Sequence, residues 1–539
     1  ELYRLSAVWE PTDNLTIDAK YEWVDYDQDG SHGEAYGTDA AGVLDGGDGK
    51  LNWRRNVDSS LIGTYPKGAG GTQNVKPGLY QEIENAAIKL DYLLGDYTLT
   101  GIFGYSDMEY SFGLDLDTIA GGLTPADINS GQGFIDASIS PETYEQTSFE
   151  FRVTSPGGAT VDWLAGIYYQ DSEFYNDNES AYNLDTVLPA FGLCDAVGLC
   201  GLGWGEYQSN EMEVDQELWS VYGTLTWNVT EVVRVIAGAR YSDEDKEADR
   251  GGACNFYDIA SGAVTGEGAL FCTTFYTGIQ GDRSSDNFMP ELVVQWDAGD
   301  NSMIYGKVGT SAKAGGFATA STIIPESWEY DDETVITYEL GYKGRFGGVA
   351  ELNAVLFRSE YDDLQVNSFI VEEGQTIGLI QNAAETINQG LEVDGRWAAT
   401  EWLTLGGSVA WLDAEYEKYD KGTCSTTEQA AGLVNPCDKS GETPPYAPEF
   451  SGAVYADLVV PMGASLNFVA NLTAYYSDDY FTEGSLDPAQ EQDSYTRVSG
   501  RLGVEASDGQ WDVSVIGRNL TEEEVLDVSQ PWFGYNLGY

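Results

Sequence analysis

The sequence predicts an all-β fold, an antiparallel transmembrane β-barrel of which about 18 strands are visible. The first observation is alternation: in residues 212–248, Val221, Leu225 and Trp227 fall on one face of a run, and Tyr222 falls on the other. Successive side chains of a strand point to opposite sides of a sheet, so this alternation indicates a strand with one apolar face. A hairpin of a soluble β-sandwich has the same pattern, so a second observation is needed.

Loop length supplies the second observation. Short clusters of turn residues separate the alternating runs, at positions 11–14, 95–96, 156–159, 228–231, 297–301, 347–348, 399–402, 461–464 and 507–510. Long polar segments rich in Gly and Asp lie between them, near 26–80, 110–142, 172–211, 245–283, 314–332, 367–384, 418–446 and 479–493. In an antiparallel meander every second connection lies on the same side, so all short turns share one end of the fold. This asymmetry is typical of outer-membrane barrels.

The two faces of the strands differ as a bilayer requires. In residues 402–412, Leu405, Val409 and Trp411 share one face, and Ser408 lies on the other. The apolar face lacks charge, because a charge near the middle of the membrane is costly. The opposite face is polar, so we expect a lumen filled by water or by another polar domain. Residues 349–361 alternate less cleanly, and the sequence does not assign their faces.

Charge excludes several classes of function. The chain has 26 Lys and Arg against 89 Asp and Glu, a net charge of −63. A protein this acidic does not bind nucleic acid by neutralising phosphates, and its mouth should favour cationic or neutral ligands over anionic ones. Apolar runs stay shorter than the about 18 residues that a transmembrane helix needs. His32 is the only histidine, which disfavours a Ser–His–Asp triad. Paired carboxylates carry little information in a chain with 89 acids, and we predict that the protein is not an enzyme.

The cysteines predict disulfides in the long connections. They fall in three close pairs, Cys194 and Cys200, Cys254 and Cys272, and Cys424 and Cys437. Proximity favours these local disulfides among the pairings that six cysteines allow. A barrel of this kind folds through the oxidising periplasm, where disulfides persist. A metal site is the alternative interpretation, and the lack of a nearby histidine disfavours it.

Acidic stretches suggest one cofactor, Ca²⁺. Residues 25–30 match the start of a calcium loop, with Asp25, Asp27 and Asp29 as candidate ligands. Tyr36 stands where a bidentate Glu is expected, so a solvated acidic loop is the alternative. Divalent ions at other acidic clusters could bridge surface lipopolysaccharide, and we interpret these clusters as solvated rims, at positions 243–245, 331–333, 362–363 and 522–524.

Aromatic residues in the long loops are the candidate ligand contacts. Trp204, Tyr207, Trp328 and Tyr330 could stack on a catecholate or a sugar. They could equally pack against their own loops. The choice between a ferric siderophore, haem, cobalamin and an oligosaccharide does not follow from these residues.

Several segments together resemble the TonB-dependent receptors of Gram-negative outer membranes, in the family's order. The segment IYGKVGTSAKAGGF, residues 304–317, is similar to a segment of the family's siderophore-type members, and we interpret its end as a strand rim and fold marker. The other matching segments lie at 147–170, 216–247, 338–346, 388–397 and 517–523. Each is weak alone, and their joint order and spacing carry the resemblance.

The resemblance implies a barrel of about 22 strands that encloses an N-terminal plug domain. It also implies active uptake of a scarce bulky nutrient, most often a ferric siderophore, with energy from the TonB complex. Residues 1–539 show no plug-like segment or TonB box, so we expect a barrel domain alone, with the plug, the first strands and the last strand outside the given sequence. A passive outer-membrane porin is the alternative. The expected surroundings are outer-membrane lipid and lipopolysaccharide.

Overall fold

The computed structural model describes the chain outside residues 30–33, 37–63, 67–71, 75–77, 115–136, 184–203, 259–263, 268–277, 319–327, 373–374, 527–528, 533–534 and 539. The described residues are almost entirely strands: β1 Leu2–Thr12, β2 Leu15–Asp29, β3 Glu34–Tyr36, β4 Thr64–Pro66, β5 Thr72–Asn74, β6 Gly78–Leu94, β7 Tyr97–Leu114, β8 Ala137–Thr154, β9 Val161–Asn183, β10 Trp204–Asn228, β11 Val233–Asp258, β12 Val264–Glu267, β13 Ile279–Gly299, β14 Ser302–Lys313, β15 Gly316–Phe317, β16 Glu329–Tyr330, β17 Glu333–Phe346, β18 Ala350–Glu372, β19 Gln375–Ala398, β20 Leu403–Lys418, β21 Phe450–Pro461, β22 Leu466–Ser477, β23 Tyr480–Phe481, β24 Glu491–Gln492, β25 Tyr495–Ala506, β26 Asp512–Gly517, β27 Ser529–Trp532 and β28 Tyr535–Gly538. The helical turns among them are α1, Thr426–Ala430, and a 3₁₀ turn, Pro488–Gln490. No described helix has the length and apolar character needed to cross a bilayer.

The long strands form one antiparallel meander in chain order. It runs β1, β2, β6, β7, β8, β9, β10, β11, β13, β14, β17, β18, β19, β20, β21, β22, β25 and β26, each strand hydrogen-bonded to the next. With the short β12 paired to β11, the sheet has 19 strands. The predicted count of about 18 transmembrane strands is therefore confirmed. β1 and β26 are the two edges of the described sheet.

The short turns lie where the sequence predicts them, and they all fall at one end of the meander. Gly347 and Gly348 show why the local sequence makes such a turn. Their φ angles are +56° and +71°, and the Val349 N–H donates to the Phe346 carbonyl at 3.0 Å. Two consecutive positive φ angles give a tight hairpin whose twist matches that of the strands, and glycine adopts them without steric cost.

One face of the sheet, the outer face, is apolar and exposed. On β10 it carries Trp219 and Trp227, exposed by 42% and 48%. These two indoles are eight residues apart, about 26 Å along a strand, which matches the apolar band between the aromatic girdles of a membrane barrel. The face of β18 that the sequence left unassigned is now clear, because Leu352 and Leu356 are exposed on the outer side.

The opposite face, the inner face, is polar. Several of its cations lie beside carboxylates of neighbouring strands. Arg234 contacts Asp297 at 2.7 Å, and the Lys307 ammonium lies 3.1 Å from Glu291. The predicted division into an uncharged outer face and a polar inner face is therefore confirmed.

Candidate functional site

The connection between β14 and β17 folds back onto the inner face at the long-loop end. We call its described residues, 313–318 and 328–333, the ledge. Within it β15 pairs with β16, so that Gly316 lies opposite Tyr330 and Phe317 lies opposite Glu329. The ledge contains two of the aromatic candidates, and its first part is the KAGGF sequence that carries the family resemblance.

An apolar seat on the inner face receives the ledge. The rings of Phe317 and Trp328 pack at a centroid distance of 4.7 Å with their planes tilted by 42°, and they form a buried cluster with Met212 and Ala248. Gly281 provides the space, because a Cβ added there would lie 2.5 Å from Phe317 and 3.0 Å from Trp328. Trp328 is only 2% exposed, so most of its surface is used to hold the ledge in place.

Asp332 fixes the C-terminal half of the ledge to β13. Its carboxylate accepts hydrogen bonds from Arg283 Nη2 at 2.8 Å, from the Gly315 N–H at 2.8 Å and from Asn287 Nδ2 at 2.9 Å. Ser285 donates to it as well. Burial by itself would raise the pKa of the Asp332 carboxyl, but these four donors outweigh burial and hold the pKa at about 2. Asp332 is therefore ionised at any physiological pH.

Arg283 gathers the acidic residues of the ledge. Its guanidinium contacts Glu329 at 2.9 Å, Asp331 at 3.1 Å and Asp332 at 2.8 Å. The Arg283 side chain is 10% exposed, whereas that of Asp331 is 84% exposed. Burial lowers the pKa of Arg283, and the hydrogen bonds to the three acids raise it more. One arginine thus compensates part of a strongly acidic rim.

The ledge also contacts β18 and β19, the two strands that follow β17 in the sheet. On β18, the Gln365 amide donates to the carbonyls of Ala314 and Asp331, both at 3.1 Å. On β19, the Asn382 amide donates to the carbonyls of Asp331 and Asp363, both at 2.8 Å. The ledge therefore ties β13 to β18 and β19 across β14 and β17.

A second long connection is held differently. We call residues 419–446, between β20 and β21, the bridged loop. A disulfide joins Cys424 to Cys437, and α1 begins two residues after Cys424. Ser425 caps this helix by accepting from the Glu428 N–H at 3.1 Å, and the Glu428 carboxylate accepts from the Ser425 N–H at 2.7 Å. This capping box satisfies two backbone donors at the helix start.

Asp487, from the connection between β22 and β25, anchors the bridged loop. It is fully buried and accepts from the N–H groups of Thr426 at 2.8 Å and Ala489 at 3.0 Å. Burial would raise the pKa of the Asp487 carboxyl, yet its hydrogen bonds lower the pKa overall. Tyr416 of β20 packs against Tyr419, the first residue of the loop, with ring centroids 4.8 Å apart. The anchor, the tyrosines and the disulfide make this loop a rigid rim.

Comparison with known proteins identifies the fold. The family model described as "TonB dependent receptor-like, beta-barrel" matches residues 2–520. The chain belongs to this family. It is therefore a β-barrel of the bacterial outer membrane, with its outer face in lipid and its inner face lining the lumen. The predicted family is confirmed, and a receptor-like β-barrel is the class that the family model describes.

Individual relatives are distant. The pesticin receptors of Yersinia enterocolitica and Yersinia pestis are each 24% identical to this TonB-dependent receptor barrel over 258 residues, which are 48% of this chain and 32% of theirs. The match thus spans about a third of those curated relatives. Two crystal structures share the fold: the ferric yersiniabactin uptake receptor FyuA from Yersinia pestis and the siderophore receptor PiuA from Acinetobacter baumannii. Their TM-scores are 0.67 and 0.62 at 15% and 16% identity, covering 100% and 97% of this chain and 68% and 69% of theirs.

The structure places the aromatic candidates of the receptor in two groups. Trp328 and Tyr330 lie in the ledge, and Trp328 packs against Phe317 as described above. Trp204 and Tyr207 lie in β10, and their side chains are outside the described residues. Contact between these four residues and a ligand stays a prediction.

The calcium candidates lie in a regular strand. Asp25 and Asp27 are paired with Glu82 and Tyr80 through the ladder between β2 and β6. The Asp29 backbone ends β2, and its side chain is outside the described residues. An extended backbone does not wrap oxygen ligands around an ion as a calcium loop does. Calcium binding by these residues stays a prediction.

The cysteine predictions have different outcomes. The pair of Cys424 and Cys437 is confirmed as a disulfide, so these sulfurs are not metal ligands. Cys254 is also disulfide-bonded, but its predicted partner, Cys272, lies outside the described residues. Cys194 and Cys200 lie outside them as well. The last two pairings stay predictions.

The sequence analysis missed the residues that hold the ledge. It interpreted positions 331–333 as a solvated rim, which describes Asp331 but is wrong for Asp332. Nothing in the local sequence separates these two neighbours, because the partners of Asp332 lie on β13. Arg283 offered the one available signal, as a rare cation within an acidic loop.

Proposed function

We propose that this receptor barrel takes up a scarce, bulky nutrient, a ferric siderophore, by active transport that the TonB complex drives. The family match over residues 2–520 carries the proposal. The names of structural neighbours support the ligand class, since FyuA is a ferric yersiniabactin uptake receptor and PiuA is a siderophore receptor. A plug domain and the TonB complex are the further partners of this proposal.

The position of the ledge supports a binding role. It lies at the long-loop end of the lumen, where a ligand arriving from outside meets the inner face. Its half-buried Tyr330 and its partly exposed acids offer both aromatic and polar contacts. Aromatic faces with a few placed polar groups are features that binding sites for small molecules share.

Iron uptake by cells tests the function. Cells carrying or lacking the gene are grown under iron limitation and supplied with radioactive iron as ferric siderophores. We expect uptake that is lost with the gene and abolished by a protonophore, because the energy comes from the inner membrane. Uptake that resists the protonophore, together with ion conductance of the protein in liposomes, would instead support the passive porin.

A matched pair of variants connects uptake to the ledge. Asp332→Asn removes the best buried of the three charges that Arg283 contacts, so we expect slower uptake. Arg345→Gln is the control, because Arg345 and Glu351 form an ion pair whose side chains are 75% and 50% exposed. Such pairs contribute little, so the control should transport at the wild-type rate.

We also propose outer-membrane lipid and lipopolysaccharide as neighbours of the outer face. Trp219 and Trp411 lie on the outer face near the long-loop end, and we call them the upper aromatic row. Their indole N–H groups donate hydrogen bonds to carboxylates, Trp219 to Asp243 at 3.0 Å and Trp411 to Glu449 at 3.3 Å. Acids at this level repel lipid phosphates, so divalent ions would have to bridge them. Lipopolysaccharide that stays with the purified protein and is released by EDTA would support this; retention unaffected by EDTA would contradict the bridging.

A further inference from the structure

Among the residues that the structure describes, a buried guanidinium beside the ledge leaves both of its Nη nitrogens without a hydrogen-bonding partner. Arg250 lies in β11, seven residues beyond the outward Asp243 that marks the upper aromatic row, and it is only 4% exposed. Neither of its Nη nitrogens makes a hydrogen bond. A guanidinium stays charged and can only donate, so its burial without an acceptor is unfavourable.

The register places Arg250 next to the apolar seat of the ledge. It lies on the inner face, opposite Met212 on β10 and Ile279 on β13. Met212 belongs to the buried cluster, and Ile279 packs against it. The next inner residue of β13 is Gly281, whose missing Cβ leaves room for Trp328. Position 250 therefore lies one inner-face step along the strands from Gly281, the glycine that Trp328 covers.

Trp328 has the same deficiency as Arg250. Its indole Nε1 is buried and makes no hydrogen bond, and an indole N–H can only donate. Nearby inner-face cations are paired: the Lys246 ammonium lies 2.6 Å from Glu244, and Arg283 contacts three acids. Two buried donors at the edge of the same apolar seat thus lack an acceptor among the described residues, in a protein that is rich in carboxylates.

The nearest acid in the same row does not supply that acceptor. Glu142 on β8 is in register with Asn176 on β9, which is in register with Met212 and then Arg250. The Asn176 amide donates to Glu142 at 3.0 Å. Burial raises the pKa of the Glu142 carboxyl, and the bond from Asn176 opposes that rise only in part. Strands β9 and β10 separate Glu142 from Arg250, so this carboxyl does not accept hydrogen bonds from the Arg250 Nη nitrogens.

We propose that Arg250 and Trp328 form an anion subsite that receives an oxyanion group, such as a carboxylate or a phosphate, of the ligand. The subsite rests on the proposed function in that the oxyanion belongs to the transported chelate. It reverses the expectation, drawn from net charge, that the mouth favours cationic or neutral ligands. A buried guanidinium acts at short range in a low-dielectric setting, whereas salt screens the dispersed surface acids.

Binding of simple anions to the purified full chain in detergent tests the subsite. The probe is inorganic phosphate, followed by calorimetry, and ferric citrate serves as an anionic chelate. We expect phosphate to bind wild type, Arg250→Met to weaken binding at least tenfold, and Arg250→Lys to retain part of it. Trp328→Phe, which keeps the ring and removes the N–H, should weaken binding several-fold. Arg345→Met, at an exposed cation, is the matched control and should bind as wild type does.

The outcomes separate this subsite from the proposed function. No phosphate binding by wild type, or equal binding by wild type and Arg250→Met, overturns the subsite. If Arg250→Met does not fold, equal binding by wild type, Arg250→Lys and Trp328→Phe overturns it too. If phosphate binding needs Arg250 while cellular iron uptake does not need the gene, the subsite stands and siderophore transport falls.

Discussion

The ledge and the bridged loop are long connections at the same end of the barrel, held by different chemistry. A disulfide between Cys424 and Cys437 closes the bridged loop, with the buried Asp487 as its anchor. The ledge is held by ionic and hydrogen-bonding contacts that centre on Asp332 and Arg283, and by the aromatic seat.

The difference concerns how each connection responds to its surroundings. A disulfide limits the open states of a loop whatever the pH or salt concentration. An ionic network depends on protonation, and its exposed members are screened by salt. The ledge is thus the connection held without a described covalent link, and it is also the one beside the proposed ligand subsite.

Removal of the central cation should have the largest effect. Arg283→Met leaves three acids of the ledge without their partner, and we expect the ledge to lose about 3 kcal/mol of its stability against local opening. Hydrogen exchange of peptides covering 328–333 measures this change. The bridged loop should exchange at the wild-type rate in the same sample. Equal protection of the ledge in both proteins would show that the aromatic seat alone holds it.

Removal of the disulfide should destabilise the bridged loop and leave the ledge unchanged. The double variant Cys424→Ser, Cys437→Ser frees a loop with a sequence separation of 13, and we expect a loss of between about 2 and 3 kcal/mol. Limited proteolysis should then cut within 419–446 and spare the ledge. A variant as resistant as wild type would mean that Asp487 and the tyrosines suffice.

Acid should weaken the contacts that hold the ledge. The pKa of Asp332 is about 2 in the folded protein, below its ordinary value of 3.8. A depressed folded pKa gives stability that is present above pH 3.8 and is lost as the pH falls towards 2. We expect the ledge to lose about 2 kcal/mol over this interval. Hydrogen exchange of wild type across the interval, with Asp332→Asn as the control that should lack this dependence, measures it.

The smallest effect should come from a buried hydroxyl beneath the bridged loop. Burial raises the pKa of Tyr416 to about 12, so the neutral phenol contributes stability below pH 10 that is lost as the pH rises towards 12. Tyr416→Phe keeps the ring contact with Tyr419, and we expect a change below about 0.5 kcal/mol at neutral pH. Proteolysis above pH 10 should open the wild-type loop before the variant loop; the opposite order would contradict this account.

Local patterns in the sequence predicted most of the fold. The alternation around Trp219 and Trp227 identified a strand and its lipid face, because the direction of a side chain in a strand depends only on its position along the chain. The turn at Gly347 and Gly348 was predictable for the same reason, since glycine permits its two positive φ angles. The pair of Cys424 and Cys437 followed from proximity in the sequence.

The candidate site was much less predictable. Trp328 and Tyr330 were named as ligand contacts, yet the packing of Trp328 under the ledge could not be read from its neighbours. Strand β18 alternates poorly, and its faces became clear only once Leu352 and Leu356 were seen on the outer side. The acidity of the sequence suggested a mouth that favours cationic or neutral ligands. Net charge does not show that one cation, Arg250, is buried beside the ledge.

The sequence by itself determined the strands, their turns and the face that each presents to lipid, since these depend on residues a few positions apart. The tertiary structure decided the ledge and the unpaired guanidinium. Asp332 meets Arg283 across 49 positions of chain, and Arg250 becomes buried only when β10, β11 and β13 come together. Such contacts depend on the register between strands, which gathers donors and acceptors from distant positions and leaves no periodic signal in the sequence.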